Sequence, residues 1–402
     1  MNKDHKALSQ NPDNADVFVP TFSRSGAPLV RGEGMYLFDA DGRRYLDFGA
    51  GIAVNALGHG HPAIIAALRE QGSLLIHSSN LYFTQPQLAL AKLLSEKTFG
   101  GKVFLCNSGT EAIEAAIKFS RKRAAQIDKG KYHVLSFSSG FHGRTYGALS
   151  ATAQEHFQDG FGPMLEGFHH APFNDIGAAG EMLDKNDYAA IIVEPVQGEG
   201  GVNVASKEFL RFLREYASKK DIALVFDEIQ CGMGRTGTLW CCEQYGIVPD
   251  ILAAAKPLGG GLPLGAVVCK DHIAAAVSPG SHGTTFGGNP LACALGCVTL
   301  NIISQPVFLS NVVKSGDFLK KGLRAMAASH PGMREVRGMG LLVGVEMAHD
   351  PKEIIPLCKE EGLLVIKAEH NTVRFMPPLI VEEKDITAAL ALFGKVLVKC
   401  KL

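Results

Sequence analysis

Ala223-Leu224-Val225-Phe226-Asp227-Glu228 is an apolar run that stops in two carboxylates, and further along comes Ala254-Ala255-Lys256-Pro257-Leu258-Gly259-Gly260-Gly261. The first stretch reads as a buried strand, being short, apolar on both faces and bounded by polar residues. Similar runs recur at Val103–Cys106, His133–Phe137, Ala190–Val193 and Ala266–Cys269. Between them lie helical patterns. Thr110–Ala125 sets Ala112, Ala115, Ala116 and Phe119 on one side and Lys118, Arg121 and Lys122 on another, and Lys207–Ser218 carries Phe209, Leu210, Leu213 and Tyr216 at helical spacing. Strands alternating with helices predict an α/β fold around a mixed, mostly parallel sheet.

After about residue 300 the texture changes. A long helix is expected through Phe308–Ser329, a strand at Gly340–Glu346, a helix around Glu353–Glu361 and a last helix from Glu382. Near the start, Tyr36–Phe38 and Tyr45–Phe48 read as strands joined by the turn Asp39-Ala40-Asp41-Gly42. The expected division is an N-terminal segment, 1–60, joining a smaller α+β domain at 301–402, with a large domain at 61–300. No internal repeat points to a solenoid or propeller.

The 402 residues include 40 basic and 40 acidic side chains, so no net field favours nucleic acid or an anionic membrane. A small-molecule ligand fits this balance better. No apolar run approaches the roughly 20 residues that span a bilayer. Met1–Asp16 is polar, lacks arginine and contains Asp4, Asp13 and Asp16, unlike a secretory signal or a mitochondrial presequence, and a cytoplasmic location is expected. The nine cysteines lack the paired short spacings of a zinc site and sit in apolar stretches, so reduced, buried thiols and no metal are expected.

Three places carry chemistry. Lys256 lies in an apolar setting, where desolvation lowers an ammonium pKa and leaves an amine able to form an imine with an aldehyde; the plain alternative is a lysine snorkelling to the surface. Asp227 ends a buried strand and needs a positive partner, such as a protonated pyridine nitrogen, or else caps the next turn. Asn107-Ser108-Gly109-Thr110-Glu111 joins a strand to the helix beginning at Thr110. Its backbone N–H groups suit an anion, although Ser108 or Thr110 also makes an ordinary helix cap.

Together these segments resemble the class III, fold type I, pyridoxal phosphate aminotransferases. The likeness runs through Asp47–Asn55, Gly58-His59-Gly60-His61-Pro62, Asn107–Ala112, Phe141-His142-Gly143-Arg144, Glu194–Gly201, Phe226–Gln230, Lys256 and His282–Pro290. Within the family, Asp227–Gly237 and Arg337-Gly338-Met339-Gly340 are similar to the branch acting on acetylornithine.

The resemblance implies pyridoxal 5'-phosphate held as an imine on Lys256, with Asp227 on its ring nitrogen, Gln230 at its ring hydroxyl and Phe141 stacked on its face. It implies Ser108, Gly109 and Thr110 around the phosphate, and a homodimer in which Thr285 completes the neighbour's phosphate site. Arg144 is expected to grip a carboxylate distant from the reacting carbon, and Arg374 the α-carboxylate of glutamate, with Glu199 masking Arg374 when acetylornithine is bound. Thr284 joins the substrate side. The reaction implied moves the δ-amino group of N2-acetylornithine to 2-oxoglutarate by a ping-pong route.

Two departures matter. Phe22 stands where related ornithine enzymes tend to place a tyrosine, and its lack of a hydroxyl favours an acylated α-nitrogen. Pro257 is expected to bias Lys256 toward extended backbone. Ornithine, succinylornithine and 4-aminobutyrate transamination share these residues. A nucleotide-binding module is disfavoured, because no Gly-x-Gly-x-x-Gly turn follows a first strand.

Overall fold

The computed structural model describes residues 17–24 and 26–400, so the reading of Met1–Asp16 lies outside the described residues. Seven strands form the large sheet in the spatial order Lys102–Cys106, Gly265–Cys269, Ile251–Ala254, Ala223–Asp227, Tyr188–Val193, His133–Phe137, Phe168–Ala171. Pairings from Ile251–Ala254 to Phe168–Ala171 are parallel, and Gly265–Cys269 alone runs antiparallel to both its neighbours. The exception follows from the chain. Only the short segment 255–264 joins Ile251–Ala254 to Gly265–Cys269, whereas a parallel return needs a crossover of roughly a dozen residues or more.

Alternation along these strands covers both faces. Leu135, Ile191, Leu224, Phe226, Leu252 and Val268 belong to one buried cluster, while Val134, Ala190, Ile192, Val225, Ala253 and Val267 belong to another that includes Ala112, Ile113, Ala116 and Phe119. The latter four lie on the helix Gly109–Ala124. Its N-terminus carries Glu111 and its last turn Arg121, Lys122 and Arg123, a distribution that opposes the helix dipole at both ends. The helix Lys207–Lys220 is capped by Ser206 and buries Phe209, Leu210 and Leu213.

The opening strands Leu29–Glu33, Tyr36–Asp39 and Arg44–Asp47 make an antiparallel meander, and Leu363–Leu364 adds to its last strand in parallel. Asp39 fixes the turn between the second and third of these strands by accepting hydrogen bonds from the N–H groups of Asp41 and Arg43 and from the Tyr45 hydroxyl. A second antiparallel sheet runs Met333–Met339, Leu342–Met347, Thr372–Phe375, Ile366–Ala368, beside the helices Pro306–Ala327, Ile354–Glu360 and Glu383–Cys400. Arg235, fully buried, donates through Nη1 to the carbonyls of Leu341 (3.2 Å) and Pro377 (2.5 Å) and so ties the loop after Asp227 to this sheet.

Among the described residues, no single helix is long and apolar enough to cross a membrane, and no cluster of three or more His, Cys, Asp or Glu could hold a metal. All nine cysteines are unbridged; Cys297 and Cys400 are half-buried and the others buried.

Candidate functional site

Adjacent parallel strands end in reactive groups. Tyr188–Val193 is followed by Glu194, Ala223–Asp227 ends in Asp227, and Ile251–Ala254 leads through Ala255 to Lys256. His133–Phe137 leads to Phe141 and His142, and Lys102–Cys106 to Ser108. All five converge on the carboxyl ends of the strands, the edge at which α/β sheets bind ligands.

Lys256 opens a short 3-10 helix, Lys256–Gly259, with φ +46°. This corrects the extended backbone expected before Pro257. The left-handed conformation costs a non-glycine residue roughly 1–2 kcal/mol, and strain of this kind collects where a side chain must be aimed. Burial, with help from the nearby Arg374 charge, pushes the Lys256 amine down to about 8, against the pull of Asp227, Glu194 and Glu199. At pH 7 about a tenth of such amines are neutral, compared with about one in three thousand at the ordinary lysine value. Capture of pyridoxal phosphate by cofactor-free protein, followed by imine absorbance, should therefore accelerate as pH rises through about 8 and level off above it. A rate that climbed steadily to pH 10 would show an unperturbed lysine.

Asp227 is buried and accepts from His142 Nδ1 (2.8 Å, Oδ2) and from the Ile229 N–H (3.1 Å, Oδ1). Burial alone would lower the His142 pKa, but the hydrogen bond and charge of Asp227 outweigh it and raise the pKa above the ordinary value. Glu194 is buried too; its oxygens accept from the N–H groups of Phe141 (2.9 Å) and Gly198 (3.2 Å). Burial pushes it up to about 7, with the neighbouring His142 opposing. The sequence reading gave no role to His142 or Glu194. The signal for Glu194 was the one used for Asp227, a carboxylate directly after a wholly apolar strand.

Arg374 lies on Thr372–Phe375 with its side chain 1% exposed. It donates Nη1 to Gln230 Oε1 (2.8 Å) and Nη2 to Glu199 Oε2 (2.7 Å), while its buried Nε has no partner. An unpartnered donor beside one held by the partly exposed Glu199 carboxylate is a guanidinium edge suited to a bidentate carboxylate. Arg337 steadies this corner, donating Nε to the Gly201 carbonyl and Nη2 to the Thr372 hydroxyl. The exposed Arg144 guanidinium lies 3.7 Å from the Phe157 ring centre and 5.4 Å from that of Phe141.

Ser108 caps the helix Gly109–Ala124, its hydroxyl oxygen accepting from the Glu111 N–H (3.3 Å), which leaves its own proton unspent in that bond. The Thr110 hydroxyl is engaged elsewhere. It accepts from the N–H groups of Arg144 and Thr145 and donates to Thr145 Oγ1, whose proton goes to Glu114. What Thr110 offers an anion is its backbone N–H, alongside that of Gly109. A side chain on Gly109 would place Cβ 2.9 Å from Ile229 Cγ2, so the loop at Ser108–Gly109 and the loop after Asp227 approach at a distance that suits glycine.

Thr284 Oγ1 accepts from Asn107 Nδ2 (2.9 Å), and Asn80 Nδ2 bonds the Thr284 carbonyl (3.0 Å). Thr285 is exposed and lines a small crevice with Ser79, Asn80 and Gln87. Phe22 is exposed and lies under Arg24, 5.2 Å from guanidinium to ring centre.

A desolvated amine, a buried carboxylate held by a histidine, a helix N-terminus and two arginines are groups suited to an anionic aldehyde and to carboxylate substrates. Comparison with known proteins agrees. The family Aminotransferase class-III matches residues 22–397. The chain is 48% identical over 381 residues to the acetylornithine aminotransferase of Caldanaerobacter subterraneus, covering 94% of this chain and 96% of that one. It is 46% identical to the succinylornithine transaminase of Yersinia pseudotuberculosis, covering 93% and 92%. Among solved structures, the ornithine aminotransferase of Toxoplasma gondii superposes with a TM-score of 0.93 at 31% identity, covering 99% of this chain and 97% of that one. The chain belongs to the class III aminotransferases, with the fold type I architecture.

Proposed function

We propose that the protein transfers the δ-amino group of N2-acetylornithine to 2-oxoglutarate, giving N-acetylglutamate 5-semialdehyde and glutamate, as a step of arginine biosynthesis. The observation that carries this reading is Arg374, buried and shared between Gln230 and Glu199. The cofactor is pyridoxal 5'-phosphate. When bound, it supplies an aldehyde that captures the substrate amine and a protonated ring that accepts an electron pair.

The chain's own residues do the rest. Asp227, kept in place by His142, provides the negative charge that holds a proton on the ring nitrogen. Lys256 Nζ, low in pKa, takes the proton from the amine-bearing carbon and returns it nearby. Phe141 covers one face, with its backbone anchored by Glu194. Ser108 and the N–H groups of Gly109 and Thr110 hold the phosphate, and Gln230 directs its amide at the ring hydroxyl. Arg144 binds the remote carboxylate in both half-reactions. Glu199 covers Arg374 when the δ-amine of acetylornithine enters, and leaves when the α-carboxylate of glutamate takes its place. Phe22 and Thr284 are assigned to the substrate side.

We further propose that residues 1–60 and 301–402 form the small domain and 61–300 the large one, that the enzyme is cytoplasmic, and that it works as a homodimer. Support for the dimer comes from the exposed Leu81, Tyr82, Phe83 and Phe286, an apolar surface beside Thr285, which would complete the partner's phosphate site.

Turnover of acetylornithine, succinylornithine and ornithine under one set of conditions tests the assignment, and a preference for free ornithine would overturn it. The same assay tests Glu199. A Glu199→Gln variant keeps a polar side chain but not the charge that masks Arg374. Its kcat/KM for acetylornithine should fall about 10- to 100-fold, the worth of one charge-assisted hydrogen bond. The value for glutamate should change far less.

A further inference from the structure

The loop that carries Glu199 also carries Gly198, and Gly198 is buried with its α-carbon against Gln230. A Cβ built on Gly198 would lie 1.8 Å from Gln230 Oε1 and 2.3 Å from Gln230 Cδ, closer than any side chain allows. The backbone of Gly198 is outside the left-handed region, so the chain conformation accepts alanine there, and it is the Gln230 amide, the end of a flexible side chain, that would have to move to make room for the methyl group. Gly198 is itself fixed, since its N–H donates to Glu194 Oε2. The amide seated on it presents Oε1 to Arg374 Nη1 at 2.8 Å.

We propose that Gly198 is a positioning residue for the α-carboxylate grip: its bare α-carbon seats the Gln230 amide, which pins Arg374 through Nη1 while Glu199 comes and goes at Nη2. The inference rests on the reading of Arg374 as that grip and Glu199 as its mask. Its logic is a division of donors. With Nη1 held by Gln230, departure of Glu199 leaves Nη2 and the unpartnered Nε as two adjacent donors on one edge, already aimed. Without the Gln230 contact, Arg374 would follow Glu199 or turn toward another acceptor, and dicarboxylates would meet a disordered fork. Acetylornithine, which reaches the site with Arg374 covered, draws no benefit from the pin.

The test is equilibrium binding of glutarate to the holoenzyme by calorimetry, beside KM values for both substrates. Gly198→Ala should weaken glutarate binding about tenfold, the equivalent of one good hydrogen bond, and raise KM for 2-oxoglutarate alike. KM for acetylornithine should move less than about threefold. Gln230→Ala should reproduce the loss of glutarate affinity, and adding Gly198→Ala to it should cost less than about twofold more, because the two act as one unit. Equal losses for both substrates, or a full second loss in the double variant, would overturn the proposal. Should Gly198→Ala fail to fold, Gln230→Ala decides alone: parental glutarate affinity in that variant refutes it. Arg374→Met separates the two levels. If Arg374→Met binds glutarate as the parent does, the underlying reading fails; if it loses affinity while Gln230→Ala does not, only the present inference fails.

Discussion

Lys256→Ala should lower the rate of transamination by about 10⁴-fold, the upper end of what a positioned proton-transfer group contributes. Two losses combine in this variant. The covalent tether goes, and so does the one amine that burial has brought down to about 8. Lys256→Arg separates charge from chemistry. Guanidinium keeps the positive charge beside Asp227 and Glu194 but stays protonated at any working pH, so this variant should be as inactive as the alanine one. Small amines added to Lys256→Ala should restore part of the rate, because the rest of the site is intact, whereas they should leave the parent unchanged. Borohydride followed by peptide mass analysis should place the cofactor on Lys256 in the parent. An adduct on another lysine, or parental turnover in Lys256→Ala, would end this assignment.

Where the chain announces its structure, it does so through burial. The strand His133–Phe137 coincides with its apolar run, and the run at Ala223–Phe226 extends only to Asp227. Ile251–Ala254 escaped the same reading because two alanines give no β-branched signal, and Phe168–Ala171 because two histidines interrupt it. The carboxyl-end position of Asp227 was legible for a local reason, a charge directly after a buried strand. The partner of that charge was not. His142 lies 85 residues away in sequence, and the parallel order that brings it to 2.8 Å is a property of the whole sheet. Arg374 shows the same limit. As a residue it resembles any surface arginine; only the fold makes it 1% exposed and leaves its Nε without an acceptor. The backbone at Lys256 went the other way from expectation. The preference of a residue before proline for extended conformation is a local bias, and the tight return into the antiparallel strand Gly265–Cys269 overrides it.

Asp227→Asn should lower turnover by about 10²- to 10³-fold, as expected when one preorganised electrostatic contact to a developing charge is removed. Asparagine keeps the size and one acceptor oxygen, so the Ile229 N–H and the His142 ring retain a neighbour of the same shape, while the negative charge is gone. The loss should appear mainly in kcat, since Asp227 touches neither carboxylate grip. A second consequence reaches proton binding in the cofactor-free protein. In the parent, Asp227 raises the His142 pKa above its unfolded value near 6.5 despite burial. A raised pKa contributes stability that is complete below the unfolded value and disappears as pH climbs through the folded one. The advantage of the parent over Asp227→Asn in unfolding free energy should therefore be greatest below pH 6.5 and shrink as pH rises beyond it. Denaturant unfolding of both proteins across that range measures it. An advantage that stayed constant with pH would mean that His142 titrates independently of Asp227, and that the carboxylate relies on some other group to stay charged in the core.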